Sequence, residues 1–173
     1  MVSQHPPRAT RDEAPAAPLS VYLVDDHVPY RECLKGLLAA DPGLRIVGEA
    51  GAATQALAEA VRRAPAPLAD VVLLDVAMPG INGVTLARRL CELAPASRLL
   101  ALSMHDDASV VAAMLAAGAS GYLVKSDPLP EVLLALRAVA GGGSYLSAAL
   151  EPGLRQRLLA GRPATPDGRQ PPS

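Results

Sequence analysis

A strict alternation of short apolar runs with longer amphipathic segments, repeated five times, constrains the fold of this chain more than any other feature. The apolar runs predict strands at residues 20–24, 44–50, 71–74, 98–103 and 121–124. The segments between them carry apolar residues three and four positions apart, which is the spacing of one helix face. Short, continuously apolar strands joined by helices form a parallel sheet that helices cover on both faces. The sequence therefore predicts an α/β fold.

Connection rules narrow the order of these strands. Right-handed crossovers between parallel strands leave few topologies. The pattern fits the flavodoxin-like, doubly wound (βα)5 arrangement with a parallel sheet of order 2-1-3-4-5. Ligands of such sheets bind at the carboxyl ends of the strands, where the strand order reverses. Functional residues are therefore expected at the ends of the first and third strands.

Composition restricts the class of protein. Half of the residues are hydrophobic, which suffices for the core of one domain, but Phe and Trp are absent. The core is therefore expected to consist of Leu, Val, Ile and a few Tyr, with many close helix contacts through Ala. The formal net charge of −1 gives no electrostatic support for non-specific binding to nucleic acid.

Cysteine usage and hydropathy bear on redox state and location. Cys33 and Cys91 form neither a C-x-x-C motif nor a zinc pattern, so two reduced, buried thiols are favoured over a disulfide. The N-terminus lacks the apolar core of a signal peptide, and the longest uncharged run, 108–124, is short of a membrane span. We expect a cytoplasmic protein without a membrane segment.

The ends of the chain differ in composition from its centre. Residues 1–18 are rich in Pro, Ala and charge and are predicted to be disordered. One folded domain is predicted at 19–147. A short helix or linker is expected at 148–160, and a Pro- and Gly-rich disordered tail at 161–173.

Carboxylates end two strands that the predicted topology makes neighbours. The first strand runs into Asp25 and Asp26, and the third ends at Asp75. Three like charges at one point repel one another, which raises carboxyl pKa values unless a cation intervenes. Oxygen ligands of this kind suit Mg²⁺, which binds through one or two carboxylates, water and phosphate oxygens.

Two further strands end in polar residues that fit the same site. Lys125 ends the fifth strand, where its ammonium can pair with a carboxylate or with phosphoryl oxygens. Ser103 ends the fourth strand and offers a hydroxyl. Singly, such residues are more often helix caps or solvated charges. Together, at one sheet edge, they favour a site for phosphoryl transfer.

The resemblance to a known family rests on four stretches: LVDDH, LLDVAMPGINGVTLARRL, LLALSMHDD and GASGYLVKSDPLPEVLLALRAVAGGGSYLS. They resemble the receiver domain of bacterial two-component response regulators, and GYLVK with GGGSYLS resembles the NarL-type (LuxR-type) subfamily in particular. The resemblance covers residues 20–147, which is the whole predicted domain.

The resemblance implies a metal site and a phosphoacceptor. Asp75 would accept the phosphoryl group and also bind Mg²⁺. Asp26 would bind Mg²⁺ directly, and Asp25 through a water molecule. The backbone carbonyl of Ala77 would be a further ligand.

The resemblance also implies residues that bind the phosphoryl group and respond to it. Lys125 would bind a phosphoryl oxygen, Ser103 would be the switch hydroxyl, and Tyr122 the aromatic residue that follows its movement. One departure from the family is that Ser126, and not the frequent Pro, follows Lys125. The isomer of that peptide bond is left open.

The implied function is a phosphorylation-dependent signalling switch that receives its phosphoryl group from a sensor histidine kinase and is not a turnover enzyme. Full-length relatives regulate transcription. Two alternatives remain open: a flavodoxin-like binder of a small molecule or cofactor, and a pseudo-receiver that is not phosphorylated. A P-loop is excluded, because Gly does not precede Lys125.

NarL-type regulators normally continue into a helix-turn-helix domain. Residues 148–173 are too few for three packed helices, and their few arginines form no dense basic stripe. The sequence therefore predicts no direct DNA binding by this chain. The expected partners are a histidine kinase and, in a homodimer or heterodimer, a second copy or another regulator.

Overall fold

The computed structural model describes residues 17–160. Strands and helices alternate over this range. The strands are β1 (Leu19–Val24), β2 (Leu44–Ala50), β3 (Val71–Asp75), β4 (Arg98–Ser103), β5 (Gly121–Val124) and β6 (Tyr145–Leu146). The helices are α1 (Val28–Ala39), α2 (Ala53–Arg63), α3 (Gly83–Leu93), α4 (Ala108–Ala116), α5 (Leu129–Ala140) and α6 (Pro152–Ala160).

The disorder predicted for the two ends concerns residues that are mostly not described. Within the predicted N-terminal segment 1–18, only residues 17 and 18 are described, and they precede β1 without regular structure. The tail predicted at 161–173 lies outside the described residues. Both predictions of disorder therefore stay predictions.

The sheet is parallel, with strand order β2-β1-β3-β4-β5-β6. This confirms the doubly wound α/β fold and the order 2-1-3-4-5 of the first five strands. The sixth strand extends the sheet by pairing Tyr145 with Gly121 and Leu146 with Tyr122. The sequence does not predict β6, because a two-residue strand carries no periodicity of its own.

Side chains on the two faces of the sheet pack into two clusters, since alternate strand residues point to opposite faces. The first cluster lies under α2, α3 and α4 and includes Tyr22 and Tyr122. The second lies under α1 and α5 and includes Leu73 and Leu123. The helices on both sides leave the carboxyl ends of the strands as an open edge.

Two details of the predicted core are wrong. The spacing of Leu57, Ala60 and Val61 predicts an inner face of the second helix. Val61 is nevertheless 62 % exposed, because α2 packs inward through Ala53, Ala56 and Ala60 instead. The two thiols are free, as predicted, but Cys33 is exposed and Cys91 only half-buried. The buried side of α1 is centred on Leu34 and Leu38, which leaves Cys33 at its edge.

The segment after β6 belongs to the core. Leu146, Leu150 and Leu154 are all buried. The backbone N–H of Ser147 donates to the carbonyl of Tyr122 at 2.8 Å, which fixes this segment to β5. The predicted short helix or linker at 148–160 therefore contains a helix, α6, whose start is packed against the domain. No helix among residues 17–160 has the length and apolar character needed to span a bilayer.

The C-terminal segment provides a test of this packing. Leu150→Ala should lower the free energy of unfolding by about 2–4 kcal/mol, because it removes a side chain that is 1 % exposed. Leu159→Ala is the matched control: that side chain is 46 % exposed, so the change should stay within about 0.5 kcal/mol. Equilibrium unfolding in urea measures both. If Leu150→Ala were as stable as the wild type, the segment after β6 would lie outside the cooperatively unfolding domain.

Candidate functional site

The predicted carboxylates meet at the open edge of the sheet. Since β1 and β3 are neighbours, with Val24 opposite Leu74, the acids at their ends come together. Asp25, Asp26 and Asp75 each offer an oxygen, and these atoms all lie within 4.8 Å of one another. Asp25 and Asp75 are buried, whereas Asp26 is exposed. The site thus has a buried floor of two carboxylates and one carboxylate open to solvent.

Lys125 bridges the two buried carboxylates. Its Nζ lies 2.7 Å from Asp25 Oδ2 and 2.9 Å from Asp75 Oδ2. The other oxygen of each carboxylate accepts a backbone N–H: His27 donates to Asp25 Oδ1 at 2.8 Å, and Ala77 to Asp75 Oδ1 at 2.9 Å. Both buried acids are therefore hydrogen-bonded on both oxygens, which fixes their orientation.

The electrostatics of the bridge leave the site short of positive charge. Burial raises the pKa of Asp25, and the hydrogen bond from Lys125 only partly offsets that effect. Burial alone would lower the pKa of Lys125, but hydrogen bonds to Asp25 and Asp75 outweigh it and raise the pKa. One ammonium thus faces three carboxyl groups, including Asp26, and a further cation is favoured when they ionise.

The donor set fits a hard divalent cation. Oxygen ligands around octahedral Mg²⁺ lie about 3 Å apart, given metal–oxygen distances of about 2.1 Å. Asp26 and Asp75 need only small movements to reach that spacing from within 4.8 Å, and Asp25 is near enough to bind the cation through a water molecule. The exposed position of Asp26 leaves room for the waters that Mg²⁺ retains. Ala77 is exposed at the same edge, and its carbonyl as a fourth ligand stays a prediction.

A glycine sets the shape of the loop between β3 and α3, which carries Ala77. A Cβ on Gly83 would lie 2.4 Å from the carbonyl oxygen of Val76, so only glycine allows α3 to begin this close to the loop. The side chain of Asn82 caps α3 by accepting the N–H of Val84 at 2.8 Å. The sequence PGINGV therefore holds the loop beside Asp75.

Ser103 and Tyr122 both hold His105, in the loop between β4 and α4. Ser103 Oγ accepts the backbone N–H of His105 at 3.1 Å. The hydroxyl of Tyr122 donates to the His105 carbonyl at 2.8 Å. Both side chains are fully buried, and Ser103 adjoins the site because its carbonyl accepts the N–H of Lys125 at 2.7 Å. The bond between Lys125 and Ser126 is trans.

Tyr30 belongs to the site, although its spacing with Leu34 and Leu37 predicts only a residue of the apolar face of the first helix. Its ring centroid lies 4.6 Å from Lys125 Nζ. The imidazole ring of His27 is parallel to the Tyr30 ring within 5°, and the two ring centroids lie 6.5 Å apart. Burial, followed by the charge of Asp25, raises the pKa of Tyr30 to about 12, so the phenol is neutral at physiological pH.

Arg31 is a second residue that the sequence did not indicate. Its guanidinium donates to the backbone carbonyl of Asp25. Its Nε lies 3.4 Å from Glu49 in β2, close enough for an ion pair but without hydrogen-bond geometry. Arg31 thereby ties the end of β1 to β2. An Arg after an acid pair has no distinctive spacing, so the contact became visible only in the folded chain.

Comparison with known families gives one match that covers most of the domain. The family model of the response regulator receiver domain matches residues 21–137. This range includes every predicted site residue. It ends before β6 and α6.

Two curated relatives extend beyond the region that they share with this chain. The transcriptional regulatory protein DegU of Brevibacillus brevis is 36 % identical over 128 residues, which are 74 % of this chain and 52 % of DegU. The nitrate/nitrite response regulator protein NarP of Escherichia coli is 38 % identical over 152 residues, which are 87 % of this chain and 68 % of NarP. The chain thus spans about half to two thirds of the length of these relatives.

A solved structure agrees with both the fold and the subfamily. The LuxR-family two-component response regulator from Aurantimonas sp. SI85-9A1 superimposes with a TM-score of 0.70 at 29 % identity, covering 82 % of this chain and 96 % of that one. The family match, the NarP similarity and this superposition agree with one another. The chain therefore belongs to the response regulator receiver family of two-component systems, with NarL/LuxR-type regulators as its relatives.

Proposed function

We propose that this chain is a phosphorylation-dependent switch that accepts a phosphoryl group on Asp75 from a histidine kinase. The observation that carries the proposal is the environment of Asp75. One carboxylate oxygen is held by the N–H of Ala77, the other by Lys125, and two more acids lie within 4.8 Å. An oriented carboxylate beside an ammonium and a candidate cation site is suited to act as a nucleophile on phosphorus.

Each residue of the site would have a separate role in the phosphoryl transfer. An oxygen of Asp75 would attack phosphorus in line as the bond to the leaving group breaks. Lys125 would pass from the carboxylate of Asp75 to an oxygen of the phosphoryl group, where negative charge develops. Asp25, Asp26, Asp75 and the Ala77 carbonyl would hold Mg²⁺, which when bound neutralises charge on the phosphoryl oxygens. Hydrolysis of the aspartyl phosphate would return Asp75 to its carboxylate, which makes the chain a switch rather than a turnover enzyme.

The switch would act through the loop between β4 and α4. The hydroxyl of Ser103 accepts from the backbone N–H of His105 and would turn its own proton to donate to a phosphoryl oxygen. Movement of Ser103 toward Asp75 would displace His105. The carbonyl of His105 accepts the hydrogen bond from the Tyr122 hydroxyl, so that bond would change as well. Because the Tyr122 side chain is already fully buried, phosphorylation would change its hydrogen bond to His105 rather than its burial.

The partners follow from the family. The proposed partners are a sensor histidine kinase and, for output, a second copy of the chain or another regulator. DegU is named a transcriptional regulatory protein, and this chain spans about half of it. Regulation of transcription by a longer form, a cytoplasmic location and the absence of direct DNA binding stay predictions.

Phosphorylation of Asp75 is tested by intact mass. With acetyl phosphate and Mg²⁺, the wild-type chain should gain one phosphoryl adduct. Asp75→Asn should gain none, because the nucleophilic carboxylate is lost. Asp106→Asn removes an exposed acid of the β4–α4 loop and should keep the adduct. An adduct of unchanged yield in Asp75→Asn would refute the assignment.

Metal binding is tested at Asp26. Asp26→Asn should weaken Mg²⁺ affinity at least about tenfold, because a charged ligand becomes neutral. In the absence of Mg²⁺ the same variant should unfold at higher urea concentration, since it relieves repulsion among the carboxylates. The chain has four Tyr and no Trp, so tyrosine fluorescence follows the titration. Glu32→Gln, an exposed acid of α1, is the control. Equal Mg²⁺ affinity in wild type and Asp26→Asn would contradict the metal role.

Switching is tested at Ser103. Ser103→Ala should leave the phosphoryl adduct largely intact, while the NMR amide shifts of His105 and Tyr122 should no longer respond to phosphorylation. The reason is that the hydroxyl linking the phosphoryl group to His105 is gone. Ser126→Ala, an exposed serine beside Lys125, should respond as the wild type does. Identical responses of wild type and Ser103→Ala would exclude the switch.

A further inference from the structure

The ammonium of Lys125 has an aromatic neighbour in addition to its two carboxylates. Its side chain is 5 % exposed and lies between Asp25 Oδ2 and Asp75 Oδ2. The face of the Tyr30 ring lies beside it, with the centroid 4.6 Å from Nζ. A cation within about 6 Å of a ring centroid is attracted by the negative charge of the π face, and the attraction increases where water is excluded. The ammonium therefore occupies a three-sided enclosure.

The ring that closes this enclosure is held in place independently of Lys125. Tyr30 lies in the first turn of α1 and packs against the core cluster under α1 and α5. The imidazole of His27 lies parallel to the ring at 6.5 Å. Tyr has only two side-chain torsions, so a ring anchored in the core is a rigid wall. Lys has four, and its ammonium can rotate its three donors freely.

We propose that Tyr30 is a positioning residue, whose ring keeps the ammonium of Lys125 at the junction of Asp25 and Asp75, where phosphoryl oxygens arrive. The carboxylates alone do not fix that position, since the Asp75 contact must loosen when its oxygen attacks phosphorus. The ring takes no part in that step, so its attraction for the ammonium does not depend on the Asp75 oxygen. This role rests on the proposed function of Asp75.

The proposal separates the ring of Tyr30 from its hydroxyl. The attraction comes from the π face, which Phe retains, so Tyr30→Phe should preserve the position of Lys125. Tyr30→Leu keeps an apolar side chain for the core but removes the ring. Tyr145→Leu is the matched control, because Tyr145 packs against the same core cluster and lies in β6, away from Lys125.

A spectroscopic measurement tests the contact without phosphorylation. Lys35 and Lys125 are the two lysines of the chain, so ¹³C-lysine labelling gives two ε-methylene signals, which Lys35→Arg assigns. Protons over an aromatic face are shielded by its ring current. The ε protons of Lys125 should therefore resonate upfield of those of Lys35 in the wild type, Tyr30→Phe and Tyr145→Leu. The upfield shift should disappear in Tyr30→Leu.

A kinetic measurement tests the consequence. Phosphorylation by acetyl phosphate and Mg²⁺ should be about two- to thirtyfold slower in Tyr30→Leu, the range that cation–π contacts supply from exposed to buried sites. The rates of Tyr30→Phe and Tyr145→Leu should match the wild type. Circular dichroism confirms that each variant is folded before rates are compared.

Each failure points to a different claim. An unchanged Lys125 shift in Tyr30→Leu would overturn the contact. An unchanged rate despite a lost shift would overturn the positioning role, as would equal slowing in Tyr30→Phe or Tyr145→Leu, which would assign the effect to the hydroxyl or to packing. A wild-type chain that takes up no phosphoryl group would overturn the proposed function of Asp75 and the role of Tyr30 with it, whatever the NMR shifts.

Discussion

The ion pairs of Lys125 with Asp25 and Asp75 are the interaction on which the site depends. Burial of an unpaired carboxylate is costly, and two such groups at one sheet edge would repel each other. A single ammonium, 2.7 and 2.9 Å from their oxygens, pairs with both and compensates part of their charge. Because that ammonium comes from the end of β5, it also ties the outer part of the sheet to β1 and β3. In the proposed function, the same charge would pair with an oxygen of the phosphoryl group.

The parallel sheet makes this arrangement possible. Each crossover returns the chain to the same side, so the carboxyl ends of β1, β3, β4 and β5 share one edge. Backbone N–H groups at the start of the following loops then satisfy the remaining carboxylate oxygens. The contact of Gly83 with Val76 keeps the loop after β3 close to the sheet. In the proposed switch, loops held in this way would let phosphorylation of Asp75 move a defined neighbour rather than the whole edge.

Few residues connect the site to the C-terminal segment. Ser103 and Tyr122 hold the backbone of His105 from its two sides, one near the carboxylates and one within the core. The backbone of Tyr122 is in turn bonded to Ser147, where the segment leading to α6 begins. A change at the β4–α4 loop therefore has a physical connection, through hydrogen bonds and buried side chains, to the C-terminal segment beyond the matched family domain.

The sequence by itself determined the α/β class, the order of five strands and the acids, lysine and serine at their ends. It could do so because strand periodicity and the position of a polar residue after an apolar run are local properties. The tertiary structure decided the rest. The pairing of β6, the exposure of Val61 and Cys33, and the contacts of Tyr30 and Arg31 depend on which distant element packs alongside, and no local spacing encodes that. Tyr30 is the clearest case. The helical spacing predicts it as a core residue, but its ring also contacts the ammonium of Lys125, which lies 95 positions further along the chain, and local spacing carries no information about that contact.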